Sequence, residues 1–262
     1  FKFMLSIFNQ DHDLAIPMGI PHVFRFRQPN ENTISELKEH YIWFSNRNSL
    51  NDELDSNPEF VKLSTNPEEQ KLLYDTIAEN IPDQKTKAYF VKNMDAERLQ
   101  EFASTKIKPF VSSFGIACFT MYPMNTKLWD VYSENNKGVC LHFDSSNDPK
   151  FFHNILPILY VSEIKEREYS AISQPNHIID LFYKKTNQWS YEKELRLLKD
   201  KTGRVSFKSS SLRNVLIGYD AEKGFIEAVL NTVKDNYKNV KVFQIVKPVS
   251  IGKLLYKPLY IP

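Results

Sequence analysis

The last third of the chain carries the pattern that most constrains the fold. Asn214 to Gly218 is a short β-rich run, Lys223 to Tyr237 places Ile226, Val229, Leu230 and Val233 at helical spacing, and Val240 to Val246 is β-rich again. Strand, helix and strand at these lengths make a β-α-β unit. Elsewhere strands and helices interleave irregularly, so the expected class is α+β with a mixed β-sheet core. Two small sheets around a cleft are the alternative arrangement.

The first strand is read from His22 to Arg27, with Phe24 and Phe26 on one face and Val23, Arg25 and Arg27 on the other. A helix from Thr33 to His40 leads into a strand from Tyr41 to Ser45, with Tyr41, Trp43 and Ser45 sharing a side. Residues 57–108 turn helical and are expected as an insertion: Asn66 caps a helix that Pro67 opens, Pro82 opens another, and Asp95 caps a third. Strands are then expected at Phe110–Thr120, Gly138–Phe143 and Ser190–Lys199, and helices at Asn125–Asn135 and Pro175–Lys185, with an apolar run at Ile155–Val161. Gly138 is expected to stop the helix before it in a left-handed conformation.

Composition removes several function classes. Lys+Arg 34 against Asp+Glu 32 gives a net charge of +2, without a run of five or six like charges, which argues against a chain built to grip phosphate backbones. Only 7 glycines occur, and none sits in the GxGxxG or GxxxxGK[ST] loops that cradle phosphates. Cys118 and Cys140 lack CxxC spacing, and the six histidines show neither HExxH nor Cys/His ligand spacing, so no metal is expected. The 262 residues are read as one domain, 1–262, with residues 1–20 as an N-terminal extension. No segment supplies the roughly 18 apolar residues of a membrane span, and the expected setting is the cytoplasm, without membrane contact.

The segment Trp189 to Leu198 carries the densest chemistry. As a strand it puts Glu192, Glu194 and Arg196 on one face, neighbours about 6.8 Å apart. Tyr191, Lys193, Leu195 and Leu197 fall opposite. Two carboxylates this close repel unless Arg196 compensates, and such a pair suits proton transfer or the steadying of a cationic transition state. The plainer alternative is a solvated edge strand with a salt bridge.

Trp43-Phe44-Ser45, Asn51-Asp52, Cys118-Phe119-Thr120, Trp129 with Tyr132, Lys137-Gly138-Val139, Lys184 or Lys185, and then Trp189, Tyr191, Glu192, Glu194 and Arg196 follow one another in a specific order. In that order the chain, from about residue 22 to 218, resembles a large bacterial family catalogued as domain of unknown function 2971 (DUF2971). It departs from the family pattern at Glu53, where proline is usual, at Thr120, where serine is usual, and at Ser133, where alanine is usual. An arginine on an early strand, an aromatic and a serine on the next and a late Glu-x-Glu also look like the signature of ADP-ribosyltransferases. That likeness implies NAD as substrate. Arg25 or Arg27 would fork onto the diphosphate, Ser45 would hydrogen-bond nearby, and Tyr41 or Trp43 would stack on the nicotinamide ring. Glu194 would stabilise the oxocarbenium-like charge and Glu192 would orient the acceptor, a protein or a nucleic acid. Asp52, Trp129, Tyr132, Trp189 and Tyr191 are the supporting candidates. A toxin or antiphage effector is the role such chemistry suits.

Two rival readings come from other classes. Glu163-Ile164-Lys165 with Asp148 upstream resembles a carboxylate-x-lysine motif of metal-dependent nucleases. The Glu192, Glu194, Arg196 face could instead dock a protein partner in a defence or mobile-element system.

Overall fold

A computed structural model describes residues 20–170, 175–247 and 254–262. The expected extension at 1–20 lies outside them apart from Ile20. Contacts divide the chain into two compact units, one of residues 46–114 and 159–187, the other of residues 20–45, 115–158 and 188–262.

The strands are β1 His22–Arg27, β2 Tyr41–Phe44, β3 Val61–Leu63, β4 Gly115–Thr120, β5 Val139–Asp144, β6 Leu156–Pro157 and β7 Leu159–Val161, then β8 Arg167–Tyr169, β9 Lys184–Thr186, β10 Glu194–Lys199, β11 Gly203–Ser206, β12 Leu212–Ile217, β13 Lys241–Val246 and β14 Leu255–Tyr260. The helices are α1 Glu31–Lys38, α2 Pro67–Glu79, α3 Gln84–Asn93, α4 Ala96–Ser113, α5 Thr126–Tyr132 and α6 Lys223–Asn236.

In the unit of residues 20–45, 115–158 and 188–262, eight strands form one sheet in the order β14-β13-β12-β5-β1-β4-β10-β6. β12 and β13 run parallel on either side of α6, as the β-α-β pattern predicts. The other pairs are antiparallel, so the sheet is mixed and the fold is α+β. Both end strands, β6 and β14, carry a proline, at Pro157 and Pro258.

Register sorts the side chains, because residues directly opposite in adjacent strands share a face. Val23 lies opposite Phe143, Arg25 opposite Leu141, and Leu195 opposite Phe119, which puts these residues on one face, called the first. Their apolar members join Leu37 of α1, Ile42 and Phe44 of β2 and Val229 and Val233 of α6 in the main core. On the second face Phe24 lies opposite both His142 and Thr120, Thr120 opposite Glu194, and Cys118 opposite Arg196. There α5 inserts the fully buried Trp129 against Cys140, Leu216 and Ile245, its ring edge-on to Phe26 at 5.1 Å.

Gly138 does not stop α5. Glu134, Asn135 and Asn136 adopt the left-handed conformation with φ of 52°, 53° and 64°. Gly138 instead lies where a Cβ would come within 2.0 Å of the Arg27 carbonyl oxygen, so only hydrogen fits.

In the unit of residues 46–114 and 159–187, Asn66, Asp83 and Asp95 cap α2, α3 and α4 with side-chain oxygens. The caps at Asn66 and Asp95 match expectation, whereas the helix after Pro82 begins at Gln84 behind Asp83. The expected strand from Phe110 is shorter, because α4 runs to Ser113 and β4 starts at Gly115. An apolar run such as Phe110-Val111 serves a buried helix end as well as a strand, which is why periodicity misplaced it. Pro175–Tyr183 winds as 3-10 turns and not as an α-helix, and Lys184–Thr186 is already strand β9, parallel to β7. Lys185 pairs with Asp55 at 3.6 Å, both buried.

Candidate functional site

The segment Ser190–Lys199 is not one strand. A 3-10 turn covers Asn187–Glu192, Lys193 sits at φ 45°, and β10 begins only at Glu194. Glu192 and Glu194 are therefore not period-two neighbours, and the expected shared face does not form as drawn. The turn is held from outside: Thr120 Oγ1 lies 3.1 Å and 3.2 Å from the carbonyl oxygens of Glu192 and Lys193, and Asn125 Nδ2 donates to the Tyr191 carbonyl at 2.7 Å.

Both carboxylates are nevertheless buried, Glu192 at 5% exposure and Glu194 at 4%, beside an Arg196 at 0%. Arg196 grips Glu194 at two points, Nε to Oε1 at 2.8 Å and Nη2 to Oε2 at 3.1 Å, the bidentate geometry that only a guanidinium offers. Glu192 is met by a different group, for Tyr132 at the end of α5 donates its hydroxyl to Oε1. Two acids separated by one residue thus each meet a group of a different kind, a guanidinium at Glu194 and a phenol at Glu192. That is the situation in which a pair of carboxylates takes different roles.

Aromatic rings border this cluster. Trp189 and Tyr191 lie with ring centroids 6.2 Å apart, and Lys127 holds its ammonium 3.6 Å from the Tyr191 ring centroid. Trp189, Tyr191, Tyr132 and Cys118 are half-buried, so the cluster has partly exposed walls. Trp129 is core, its indole N–H donating to the Pro123 carbonyl at 2.7 Å.

The nucleotide-gripping residues do not join this cluster. Arg25 and Arg27 lie on the first face of the sheet, Glu194 and Arg196 on the second, so the expected opposition of early arginines and late glutamates does not form. Arg25 is buried and donates Nη1 to the Cys118 carbonyl and Nη2 to that of Trp43, both at 3.2 Å. Burial also pulls its pKa below the ordinary arginine value, against the attraction of Glu36. Arg27 is paired with Glu36 at 2.8 Å, and Glu36 also accepts from the Trp43 N–H at 3.2 Å. Tyr41 is buried under the Arg204 guanidinium at 4.5 Å, Trp43 is 47% exposed opposite Arg204, and Ser45 spends its backbone on a bridge to Ile116. Asp52 belongs to the other unit, where its Oδ1 accepts from the Leu54 N–H at 3.0 Å, a local turn bond.

Sequence reasoning gave no role to Glu36, Asn125 or Asp55, and treated Thr120 only as a departure from a family pattern. Asn125 had a readable signal as the N-cap of α5; its second bond, to Tyr191, joins residues 66 apart in sequence. For the rival nuclease motif, Glu163 and Lys165 are exposed and paired with each other at 3.5 Å. Among the described residues, no group of three or more His, Cys, Asp and Glu side chains is placed to hold a metal ion. Nor is any helix there long and apolar enough to cross a membrane.

No curated protein and no solved structure matches the chain. Residues 128–197, the stretch that carries Tyr132, Trp189, Tyr191, Glu192, Glu194 and Arg196, match the family described as protein of unknown function DUF2971.

Proposed function

We propose that the chain is an enzyme acting at the N-glycosidic bond of a nucleotide, with NAD the first candidate substrate and Glu192 the reacting carboxylate. The observation that carries this reading is that Glu192, Glu194 and Arg196, within five consecutive residues, are each less than a tenth exposed. Buried ionised groups cost several kcal/mol each in desolvation, so a cluster of three in one short segment is a weak way to build stability and a common way to build an active site. A docking surface would hold its charges in solvent, which is why the enzyme reading is preferred. The exposed Glu163 and Lys165 give the nuclease reading little support.

Within this reading Glu194 passes from reacting group to ion-pair partner, since Arg196 occupies it at two points. Glu192 would stabilise positive charge on the ribose as the base departs, with Tyr132 setting its orientation. Trp189 and Tyr191 offer stacking surface for the base, and Lys127 offers a cation for phosphate. Transfer of ADP-ribose to a protein or nucleic-acid acceptor, a toxin or antiphage role and a cytoplasmic setting are extensions of the same proposal, the last in keeping with two free thiols.

The test is incubation with NAD labelled in the adenylate half, with and without cell extract, while nicotinamide release is followed. Wild type should release nicotinamide or transfer label, and Glu192→Gln should lower the rate at least 100-fold with the fold intact by circular dichroism. A folded wild-type protein that does neither removes the proposal.

A further inference from the structure

We propose that Thr120 is a positioning residue, one whose hydroxyl fixes the left-handed turn at Lys193 and thereby sets the direction of the Glu192 carboxylate. The inference rests on the reading of Glu192 as the reacting group.

Four successive carbonyls around the turn are held by donors from elsewhere. Tyr191 O accepts from Asn125 Nδ2 at 2.7 Å, Glu192 O and Lys193 O face Thr120 Oγ1 at 3.1 and 3.2 Å, and Glu194 O accepts from the Ile158 N–H at 3.0 Å. The Thr120 hydroxyl has one proton, shared between its two carbonyls, and its oxygen accepts from the Tyr122 N–H at 3.2 Å, which fixes the oxygen itself. Thr120 is buried and lies directly opposite Glu194 across β4 and β10.

This arrangement solves a geometric problem. A non-glycine residue at φ 45° is unfavourable for an L-amino acid, and such a conformation persists where the surroundings over-determine it. Were residues 192 to 194 extended, Glu192 would project on the same face as Glu194 and meet the Glu194–Arg196 pair. The turn at Lys193 redirects it, and there it meets Tyr132. Asn125 and Thr120 grip the backbone on either side of the Glu192 side chain, and Asn125 also caps the helix that ends in Tyr132. Thr120 reaches the carbonyls of both Glu192 and the left-handed Lys193, so its hydroxyl is placed to hold the redirection.

The experiment compares Thr120→Val, Thr120→Ala and Thr120→Ser in the full chain, with two readouts. The first is kcat, KM and the pH profile of nicotinamide release from NAD. Removing the hydroxyl should lower kcat at least ten-fold, leave KM within two-fold and move the acidic limb of the profile, while Thr120→Ser stays within two-fold of wild type. The second readout needs no activity: the 19F NMR signal of Tyr132 in fluorotyrosine-labelled protein, assigned with Tyr132→Phe, should shift in the valine and alanine variants and hold in the serine one. Wild-type kcat, pH profile and Tyr132 signal in folded Thr120→Val or Thr120→Ala would overturn the inference, as would failure of serine to restore them. An inactive wild type whose Tyr132 signal still moves as described would remove Glu192 as the reacting group and leave the positioning role standing.

Discussion

Two arginines are buried in the same sheet, Arg25 on its first face and Arg196 on its second, and they are satisfied by opposite means. Arg25 fastens to two backbone carbonyls on two different strands, so it acts as a cross-tie between β1, β2 and β4. Arg196 grips the Glu194 carboxylate, two residues away on its own strand, at two points. The first arrangement holds a fold together; the second brings a carboxylate into the interior and neutralises it there. A buried arginine is therefore not evidence of anion binding until its partners are known, and here the partners separate a structural residue from one at a candidate site.

The sharpest way to break this contrast is to remove each guanidinium in turn. Arg196→Met leaves the Glu194 carboxylate buried without its two-point partner, a change that typically costs about 3–5 kcal/mol. The melting temperature should fall by about 6–20 °C at about 2–4 °C per kcal/mol, and the double change Glu194→Leu with Arg196→Met should recover most of the loss. Full recovery is not required; a double variant no better than Arg196→Met alone would mean that the pair does not act as a unit. Arg25→Met takes a donor from two carbonyls but leaves the buried Glu36 paired with Arg27, and should cost about 2 kcal/mol with the loss unaffected by any change at Glu194. Equal melting temperatures for the two single variants would dissolve the comparison.

A third distinction is acid sensitivity. His142, on the second face, accepts or donates at 2.7 Å with Asn214 and 3.2 Å with His22, and burial, reinforced by His22 and Arg213, lowers its pKa from 6.5 to about 4. The unfolded chain thus takes up this proton first as pH falls. The stability His142 lends as a neutral ring is present above pH 6.5 and is lost between 6.5 and about 4, by about 1 kcal/mol once solvent screening is allowed for. Wild type should therefore lose a few degrees more than His142→Gln between pH 7 and pH 4.5; parallel curves would refute this. Smallest of all, Tyr132→Phe deletes one half-buried hydroxyl and should shift the melting temperature by under about 4 °C while lowering nicotinamide release about ten-fold. A large thermal loss with unchanged turnover would assign Tyr132 to structure alone.

Most of the sheet was legible from period-two and helical spacing, because β1, β5, β12, α6 and β13 each carry their own pattern. Residues 110–113 and 190–193 were misread for different reasons. Phe110 and Val111 are apolar in any setting, and only the tertiary context assigns them to α4. The break at Lys193 has no local signature at all, since it is imposed by Thr120 and Asn125 from sequence separations of 66 to 73 residues. The site was half legible. Glu194 meets Arg196 and Glu192 meets Tyr132, whereas Arg25 and Arg27 lie on the face of the sheet opposite Glu194 and Arg196. Which face a strand turns towards another is fixed by the register of β1, β4 and β10, and one sequence does not print that register.

The prolines at the two ends of the sheet carry a consequence for crowded solutions. A sheet that stops at an ordinary strand offers a ladder of amides on which another molecule can grow, whereas the end strands among the described residues each lack one amide hydrogen, at Pro157 and Pro258. The outermost strand exposes Leu255 and Tyr256 as well, so without that missing amide its rim would combine a sticky surface with an open template for fibre growth.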